Sequence, residues 1–240
     1  MIQINNIRKT FGPKTAVNID NFTIPQGQML GLVGNNGAGK STLFRLLLDL
    51  IEPDKDEATL KAGSPKIINC GVEVNATEEW KDWTGAFLDE SFLIDYLTPD
   101  EYLHFVSQIS NIEPEGEKKL IEESSHFLSG EILGQKKLIR NLSAGQKQKL
   151  GILAAMASQP KLLILDEPFN FLDPTSQNAL KTLLTEYNEK TGATILISSH
   201  NLQHTIEICP RIALMEDGRI IRDIDNQSGS ALQELEEYFA

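Results

Sequence analysis

The first part of the chain alternates short apolar segments with turn-forming residues. These segments predict strands, over residues 2–7, 16–19, 22–24 and 28–33. The turn at residues 11–13 separates the first two strands, so we expect an antiparallel β layer that leads into the strand at 28–33. A further strand is predicted near residues 66–73, and the stretch around it, up to residue 83, has no clear apolar period.

Residues 97–157 have the apolar spacing of helices. The sequence Thr98-Pro99-Asp100-Glu101 is a capping box with proline at the first helical position. Apolar residues at 102, 105, 106 and 109 then fall on one helix face. A second helix is predicted over 117–128, and a third from Ser143 through residue 157. We expect residues 91–157 to form a helical subdomain inserted into a core made of residues 1–90 and 158–240.

Strands and helices alternate from residue 161 onwards. The predicted order is strand 162–165, helix 174–189, strand 194–198, helix 201–208 and strand 211–215. Such alternation implies a parallel sheet with helices packed on it. A turn at 216–219, with the favoured Asp-Gly pair, and an amphipathic helix over 230–239 follow. The predicted fold class is α/β, with a parallel-sheet core, an N-terminal antiparallel β layer and an inserted helical subdomain in one domain of 240 residues.

Composition narrows the classes of function. The formal net charge is −12, from 34 acidic and 22 basic residues, whereas direct DNA or RNA binders rely on basic surfaces. Direct nucleic-acid binding is therefore not expected. Cys70 and Cys209 fit neither a metal-ligand nor a redox spacing, which indicates a reducing compartment. No apolar run approaches the ~20 residues of a membrane helix, and no signal peptide is recognisable. We expect a soluble, cytoplasmic protein unless a partner carries it to a membrane.

Residues 34–41 read Gly-Asn-Asn-Gly-Ala-Gly-Lys-Ser, between the predicted strand at 28–33 and a helical segment that opens with Thr42. This is a phosphate-binding P-loop in its required context, and it predicts a P-loop NTPase core. Glycines let successive backbone N–H groups curl around a polyphosphate. Lys40 supplies a positive charge for the β- and γ-phosphates, and the Ser41 hydroxyl can bind Mg²⁺. The expected ligand is a purine nucleoside triphosphate, and the alternative is a chance match. The predicted contact residues are Gly34, Asn35, Asn36, Gly37, Ala38, Gly39, Lys40, Ser41 and Thr42.

The apolar strand at 162–165 ends in two carboxylates, Asp166 and Glu167. Ligands bind at the carboxyl ends of the strands in an open α/β sheet, so this pair is expected close to the P-loop. Asp166 is predicted to hold Mg²⁺ through water. Glu167 is predicted to face the γ-phosphate and to act as general base or to orient the attacking water. The alternative is an ordinary solvated pair at a strand end.

With the segment at 141–150, Asn-Leu-Ser-Ala-Gly-Gln-Lys-Gln-Lys-Leu, the chain resembles the ATP-binding cassette family, the nucleotide-binding subunits of ABC transporters. The resemblance covers essentially the whole chain, because the order also matches: P-loop, helical block, this signature segment, Asp-Glu strand and a histidine. It implies that the nucleotide is ATP with Mg²⁺.

The signature segment implies contact with a second subunit. By resemblance, Ser143, Ala144, Gly145 and Gln146 grasp the γ-phosphate of ATP bound to an opposing cassette, so that nucleotide joins two cassettes into a homodimer or heterodimer. Ala144 stands where the family commonly has glycine, and because its N–H is kept we expect function to survive. The structural alternative is a helix start capped by Ser143 and Gln146, and both interpretations can hold together.

Two further residues receive catalytic roles from the resemblance. Asp173 matches the D-loop, which crosses the dimer interface and links the two ATP sites, although as a structural residue it also caps a helix that starts with Pro174. His200 follows the strand at 194–198 and matches the histidine that contacts the γ-phosphate and helps to position the attacking water. The alternative for His200 is a surface residue that caps the next helix, and His204 is interpreted as a solvated helix residue.

Two other positions depart from the family pattern. Phe11 stands where the family usually places a tyrosine that stacks on adenine, and the alternative is a turn aromatic packed on the β layer. Asp89 occupies the usual place of a glutamine that lies near Mg²⁺ and the attacking water. A carboxylate there can still approach the metal, but it adds negative charge beside Asp166 and Glu167, which puts the rate and the coupling in doubt.

The resemblance implies an ATPase subunit that serves a separate transmembrane permease and lies peripherally on the inner face of the cell membrane. The terminal segment at 232–239 resembles cassettes of exporters. Apolar residues near 92–96 are candidate permease contacts, with core packing as an equal alternative. Two rival functions are a cytosolic cassette ATPase without transport, such as an iron–sulfur assembly scaffold component, and a P-loop small-molecule kinase. A kinase needs neither the signature segment nor His200.

Overall fold

An antiparallel sheet of four strands, in the order β2-β1-β4-β5, forms the N-terminal layer of the computed structural model. The structure describes residues 2–55, 63–227, 231, 232, 234 and 235. The strands are β1 (Ile2–Phe11), β2 (Lys14–Ile24), β4 (Lys66–Asn69) and β5 (Val72–Glu73). The predicted strands at 16–19 and 22–24 are therefore one continuous strand. The predicted strand at 66–73 is a tight hairpin, because Cys70 and Gly71 both adopt positive φ angles, 51° and 88°.

A second sheet of six strands carries the order β10-β9-β3-β8-β7-β6. It consists of β3 (Met29–Val33), β6 (Thr84–Phe87), β7 (Leu162–Leu165), β8 (Thr194–Ser199), β9 (Arg211–Glu216) and β10 (Arg219–Asp225). Five neighbouring strands run parallel, and β10 pairs antiparallel to β9 through the predicted Asp-Gly turn. The α/β prediction is confirmed. The edge strand β6 was not predicted, because Gly85 and Ala86 give it little apolar character.

The strand β7 contributes to two separate cores. Leu163 and Leu165 pack with the helical block on one face of the sheet. Leu162 and Ile164 pack on the other face with helix α1 (Lys40–Leu47) and the antiparallel layer. All four side chains are buried, as a strand that is covered on both faces requires.

The helical block contains α2 (Pro99–Ile109), α3 (Pro114–Glu123), α4 (Ser125–Leu128) and α5 (Ala144–Met156). The capping box at Thr98 is confirmed, because its side chain accepts from the backbone of Glu101 and the Glu101 carboxylate accepts in return. The helix predicted over 117–128 is two helices, which meet at Ser124. Of the face predicted for α2, Tyr102 is buried, whereas Phe105 and Ile109 are exposed.

Two more helices, α6 (Pro174–Thr191) and α7 (Leu202–Ile208), follow β7 and β8, as predicted. The helix predicted over 230–239 lies outside the described residues, except for 231, 232, 234 and 235. In the part of the chain that the structure describes, no helix combines the length and the apolar character needed to cross a membrane. The division into a core and a helical subdomain, at residues 91 and 157, stays a prediction.

Candidate functional site

The P-loop connects the end of β3 to the start of α1, and its shape depends on two glycines. Gly39 is the residue before α1 and has φ 111°; a Cβ there would lie 2.1 Å from the carbonyl oxygen of Ala16. Gly34 has the same constraint, since its Cβ would lie 2.2 Å from the carbonyl oxygen of Met215. Side chains are thus excluded where the loop presses against β2 and β9, and α1 begins with its N–H groups at the loop.

Lys40 is buried beneath this loop, with 6% of its surface exposed. Its ammonium group donates to the carbonyl oxygens of Gly34, at 2.7 Å, and of Asn35, at 3.3 Å. The same nitrogen lies 3.5 Å from Oε1 of Glu167. A buried ammonium held among carbonyl oxygens and a carboxylate is a strong local source of positive charge for an anionic ligand.

Asp166 and Glu167 lie at the carboxyl end of β7, next to the P-loop. The buried hydroxyl of Ser198 donates to Oδ1 of Asp166 and accepts the backbone N–H of Glu167, at 2.9 Å. The Ser41 hydroxyl also lies beside the Asp166 carboxylate and acts to lower its pKa. Burial raises the pKa of Asp166 above its ordinary value, and the two serine hydroxyls oppose that rise.

His200 reaches the same point from the end of β8. Its Nδ1 lies 2.8 Å from Oε2 of Glu167, and its backbone N–H donates to that oxygen at 3.2 Å. Glu167 therefore stands between a buried ammonium on one side and an imidazole on the other. The structure brings together the three residues Lys40, Glu167 and His200 that the sequence analysis selected from distant segments.

The oxygen atoms of Ser41 and Asp166 converge, and such a hydroxyl and carboxylate pair suits a hard cation such as Mg²⁺. Within the described residues, no group of three or more His, Cys, Asp or Glu side chains is placed to hold a metal.

Asp89 makes contacts other than those predicted. Its Oδ1 accepts the backbone N–H of Ser91 at 2.8 Å, and its Oδ2 lies 3.6 Å from Nη2 of Arg45 on α1. The carboxylate caps the short 3₁₀ helix Glu90–Phe92. Its place in the metal site stays a prediction.

A cleft of about 300 Å³ lies against the P-loop. Phe11 lines its rim from the turn between β1 and β2, with 54% of its surface exposed. Lys14, opposite Phe11 across that turn, also lines the cleft and donates to the carbonyl oxygen of Gly37 at 3.3 Å. Lys14 was not among the predicted site residues, and its signal in the sequence is a cation paired across the turn with Phe11, the predicted adenine contact. Ser198, a buried polar residue near the end of β8, was not predicted either.

The signature segment forms the start of α5. Ser143 and Gln146 make a reciprocal capping box: the Gln146 backbone N–H donates to Ser143 Oγ at 3.2 Å, and the Ser143 N–H donates to Gln146 Oε1 at 3.0 Å. Gly145 packs so closely on Phe171 that a Cβ would lie 2.6 Å from the Phe171 carbonyl oxygen. The predicted contact of this segment with a phosphate on a second subunit stays a prediction.

Asp173 has the structural role that was predicted. Its carboxylate accepts the backbone N–H of Ser176 at 3.0 Å and the Ser176 hydroxyl at 2.6 Å, at the start of α6. These hydrogen bonds hold the pKa of Asp173 below its ordinary value. His204, which was interpreted as a solvated helix residue, is half-buried. Its ring packs on Phe169, with centroids 4.9 Å apart, and its Nδ1 is buried.

The apolar residues at 92–96 were interpreted either as permease contacts or as part of the core, and the structure shows residues of both kinds. Leu93 is buried in the core, whereas Phe92, Ile94 and Tyr96 are exposed. Core packing therefore explains one of the four candidate permease contacts, and three remain on the surface.

The sequence profile of the ABC transporter family matches residues 17–170. The bacitracin transport ATP-binding protein BcrA of Enterococcus faecalis is 30% identical over 94% of this chain and 69% of its own length. The probable sulfate/thiosulfate import ATP-binding protein CysA of Chlorella vulgaris is 33% identical over 99% of this chain and 94% of its own. The chain spans only 64–66% of several methionine import ATP-binding proteins.

A solved structure has the same fold. The dimeric, ADP- and Pi-bound, post-hydrolysis form of the ATP-binding cassette MJ0796 superposes with a TM-score of 0.80, at 22% identity, over 95% of this chain and 99% of that one. At this identity the likeness concerns the fold alone. The profile match covers more than half of the chain, and its boundaries enclose the P-loop, the signature segment and the Asp-Glu pair. The chain therefore belongs to the ABC transporter family, as an ATP-binding subunit that hydrolyses ATP.

Proposed function

We propose that two copies of this cassette, or one copy and a similar partner, close around two molecules of MgATP and use hydrolysis to drive a separate permease. The observation that carries this proposal is the position of Glu167. Its two carboxylate oxygens contact Lys40 on the P-loop side, at 3.5 Å, and His200, at 2.8 Å. A carboxylate between the phosphate-binding lysine and an imidazole is well placed to activate water.

The roles of the phosphate-binding residues follow from their positions. The backbone N–H groups of the loop from Gly34 to Thr42 and the Lys40 ammonium bind the β- and γ-phosphates. Ser41 and Asp166 hold Mg²⁺, which when bound neutralises charge on the phosphate oxygens. Phe11 stacks on adenine, and Asp89 approaches the metal site only if its bonds with Ser91 and Arg45 are exchanged.

The second subunit completes each site through its signature helix. We assign a contact with the γ-phosphate of the ATP that is bound to the opposing subunit to four residues of this helix start: Ser143, Ala144, Gly145 and Gln146. The support for this assignment is the geometry of α5, a helix of 13 residues. Its capped, partly exposed N-terminus presents N–H groups to an anion. Asp173, near the Gly145–Phe171 contact, would link the two sites.

We place the protein on the inner face of the cell membrane, where exposed Phe92, Ile94 and Tyr96 contact the permease. The direction that we propose is export, on the resemblance of the terminal segment to exporter cassettes. Relatives named for import exist as well. Transport into or out of vesicles that contain the reconstituted complex decides the direction, and co-purification with a multi-span membrane protein separates transport from a purely cytosolic ATPase function.

The substitution Glu167→Gln tests the proposal. The variant should bind ATP as the wild type does, nearly stop turning it over, and accumulate dimers in ATP. Turnover is measured by phosphate release and the dimer by size-exclusion chromatography with light scattering. Glu186→Gln, which changes an exposed carboxylate paired with Lys190, is the matched control and should behave as wild type. Unchanged turnover in Glu167→Gln would contradict the catalytic role of Glu167. A variant that stays monomeric in ATP would contradict the proposed nucleotide-bound dimer.

A further inference from the structure

One side chain of the signature helix contacts the backbone of the residue that carries the candidate catalytic carboxylate, Glu167, in the same subunit. Gln148 lies in the second turn of α5, with 8% of its surface exposed. Its Nε2 donates to the backbone carbonyl oxygen of Glu167 at 3.2 Å. This contact lies outside the P-loop, the signature contacts and the D-loop that the proposed function uses.

Glu167 needs such support because its backbone has an uncommon conformation. Its φ is 49°, in the left-handed region that non-glycine residues adopt rarely. Hydrogen bonds hold it from both sides: its N–H donates to Ser198 Oγ at 2.9 Å, and its carbonyl oxygen accepts from Gln148 and from the backbone of Asn170, at 3.2 Å. These bonds fix the rotation of the peptide that aims the Glu167 side chain toward Lys40 and His200.

We propose that Gln148 is a positioning residue for hydrolysis, which holds Glu167 in its left-handed conformation and so aims its carboxylate. The inference rests on the proposed role of Glu167. It adds a physical connection between the two nucleotide sites of a dimer. Ser143, five positions earlier on the same helix, would contact the nucleotide of the opposing subunit, and Gln148 would transmit a shift of that helix to Glu167.

The packing of α5 does not depend on this amide. Leu150, Ile152 and Leu153 of the same helix are fully buried and anchor it in the core. Replacing Gln148 by methionine keeps the length and roughly the volume of the side chain and removes its amide, including the Nε2 donor to Glu167. The helix is therefore expected to stay in place while the carbonyl group of Glu167 loses one of its two partners.

The test compares Gln148→Met with the wild type in the full chain. Loss of one hydrogen bond that acts on the transition state should lower kcat by roughly five- to tenfold, with ATP affinity unchanged.

Gln177→Met is the matched control, because Gln177 Nε2 donates to the carbonyl oxygen of Phe169, at 3.3 Å, two residues beyond Glu167. Its turnover should stay within about twofold of wild type. Thermal melts followed by circular dichroism show whether each variant is folded. If Gln148→Met unfolds, Gln148→Asn takes its place, because it keeps the amide on a side chain too short to reach the Glu167 carbonyl oxygen.

A double variant separates positioning from a general loss of structure. In the Glu167→Gln background the remaining slow hydrolysis no longer depends on the aim of a carboxylate, so adding Gln148→Met should not slow it further. The inference is overturned by wild-type kcat in Gln148→Met, by an equal fall in Gln177→Met, or by the same fold-loss in both backgrounds. Full turnover in Glu167→Gln alone would instead overturn the proposed function, and the two failures are thereby distinguished.

Discussion

His200 holds one oxygen of Glu167 with two of its nitrogen atoms: Nδ1 lies 2.8 Å from Oε2, and the backbone nitrogen lies 3.2 Å from it. The two residues follow neighbouring parallel strands, β7 and β8, so their approach is set by the register of the sheet. The backbone contact would survive replacement of the imidazole, whereas the side-chain contact would not.

Replacement of His200 by alanine is expected to reduce kcat by about a hundredfold or more, the usual range for a group that assists proton transfer. ATP affinity should change little, because Lys40 and the P-loop are untouched. Steady-state phosphate release and nucleotide titration measure the two quantities. His126→Ala, at an exposed position on α4, is the control. A variant with wild-type kcat would show that the imidazole has no part in hydrolysis.

Removal of the Lys40 ammonium should weaken ATP binding itself. A charge-assisted hydrogen bond contributes about 1.5–3 kcal/mol, so Lys40→Ala is expected to raise the Kd for ATP by roughly ten- to a hundredfold. Isothermal titration calorimetry gives the affinity, and Lys55→Ala, whose ammonium pairs only with exposed Glu52 among the contacts described, is the comparison. Undiminished affinity in Lys40→Ala would contradict the assignment of the phosphate-binding loop.

Asp166→Asn should stabilise the fold while it abolishes Mg²⁺-dependent hydrolysis. Burial raises the pKa of Asp166 above 3.8, so ionisation of this carboxyl costs more in the folded chain than in the unfolded chain. The stability that this group contributes is present below its unfolded pKa and is lost as pH rises through its folded pKa. At pH 7 without nucleotide we expect a higher Tm for the variant, by roughly 2–4 °C for each kcal/mol gained. Equal or lower Tm values in thermal melts would oppose this account.

His204 should make the stability depend on pH between about 7 and 5. Burial lowers the pKa of His204 below 6.5, with a smaller contribution from Lys181, and Glu207 acts in the opposite direction. The unfolded chain therefore takes up this proton first as pH falls, and the stability present above pH 6.5 is lost as pH drops through the lower folded pKa.

The variant His204→Gln isolates that effect, because its side chain stays neutral. Urea unfolding at pH 7, 6 and 5 should show the free energy of unfolding of the wild type falling relative to that of the variant. His126→Gln, at an exposed position, should run parallel to the wild type. If the free energies of unfolding of His204→Gln and of the wild type fall in parallel with pH, protonation of His204 does not cause the pH dependence.

Gly151 lies where α5 packs tightly against β6. A Cβ at this position would lie 2.0 Å from Cε2 of Phe87, inside the core. Gly151→Ala is therefore expected to destabilise the fold by about 1–3 kcal/mol through overpacking. Gly116→Ala is the helical control, because there the nearest atom is a single methyl carbon, Cγ2 of Ile112, at 2.9 Å; the higher helix propensity of alanine, up to about 1 kcal/mol, should leave this variant the more stable of the two. Denaturant unfolding that ranks the two variants in the other order would contradict this packing.

The sequence predicted those parts of the molecule whose structure is decided locally. The buried run Leu162–Leu165, the capping boxes at Thr98 and Ser143 and the glycines of the P-loop all carry their own signals. The convergence of Glu167 and His200 was predictable as well, because parallel strands end at the same edge of a sheet.

Contacts between distant segments were not predictable in the same way. Strand β6 has little apolar character of its own and pairs in parallel with the distant strand β7, and the break at Ser124 divides a pattern that predicts one helix. Gln148 and Ser198 hydrogen-bond to the backbone of Glu167, from which they are separated by 19 and 31 positions in the sequence. No period or spacing marks such hydrogen bonds, since they depend on how the helical block is seated on the sheet.

The alternating packing of β7 has a consequence for how the protein loses its structure. Partial denaturation that frees the helical block would leave Leu162 and Ile164 still anchored, and loss of the antiparallel layer would leave Leu163 and Leu165 anchored. The backbone amides of β7 should then exchange with solvent deuterium only when both halves come apart. The acidic pair at the end of this strand would accordingly be among the last groups to be displaced as the molecule melts.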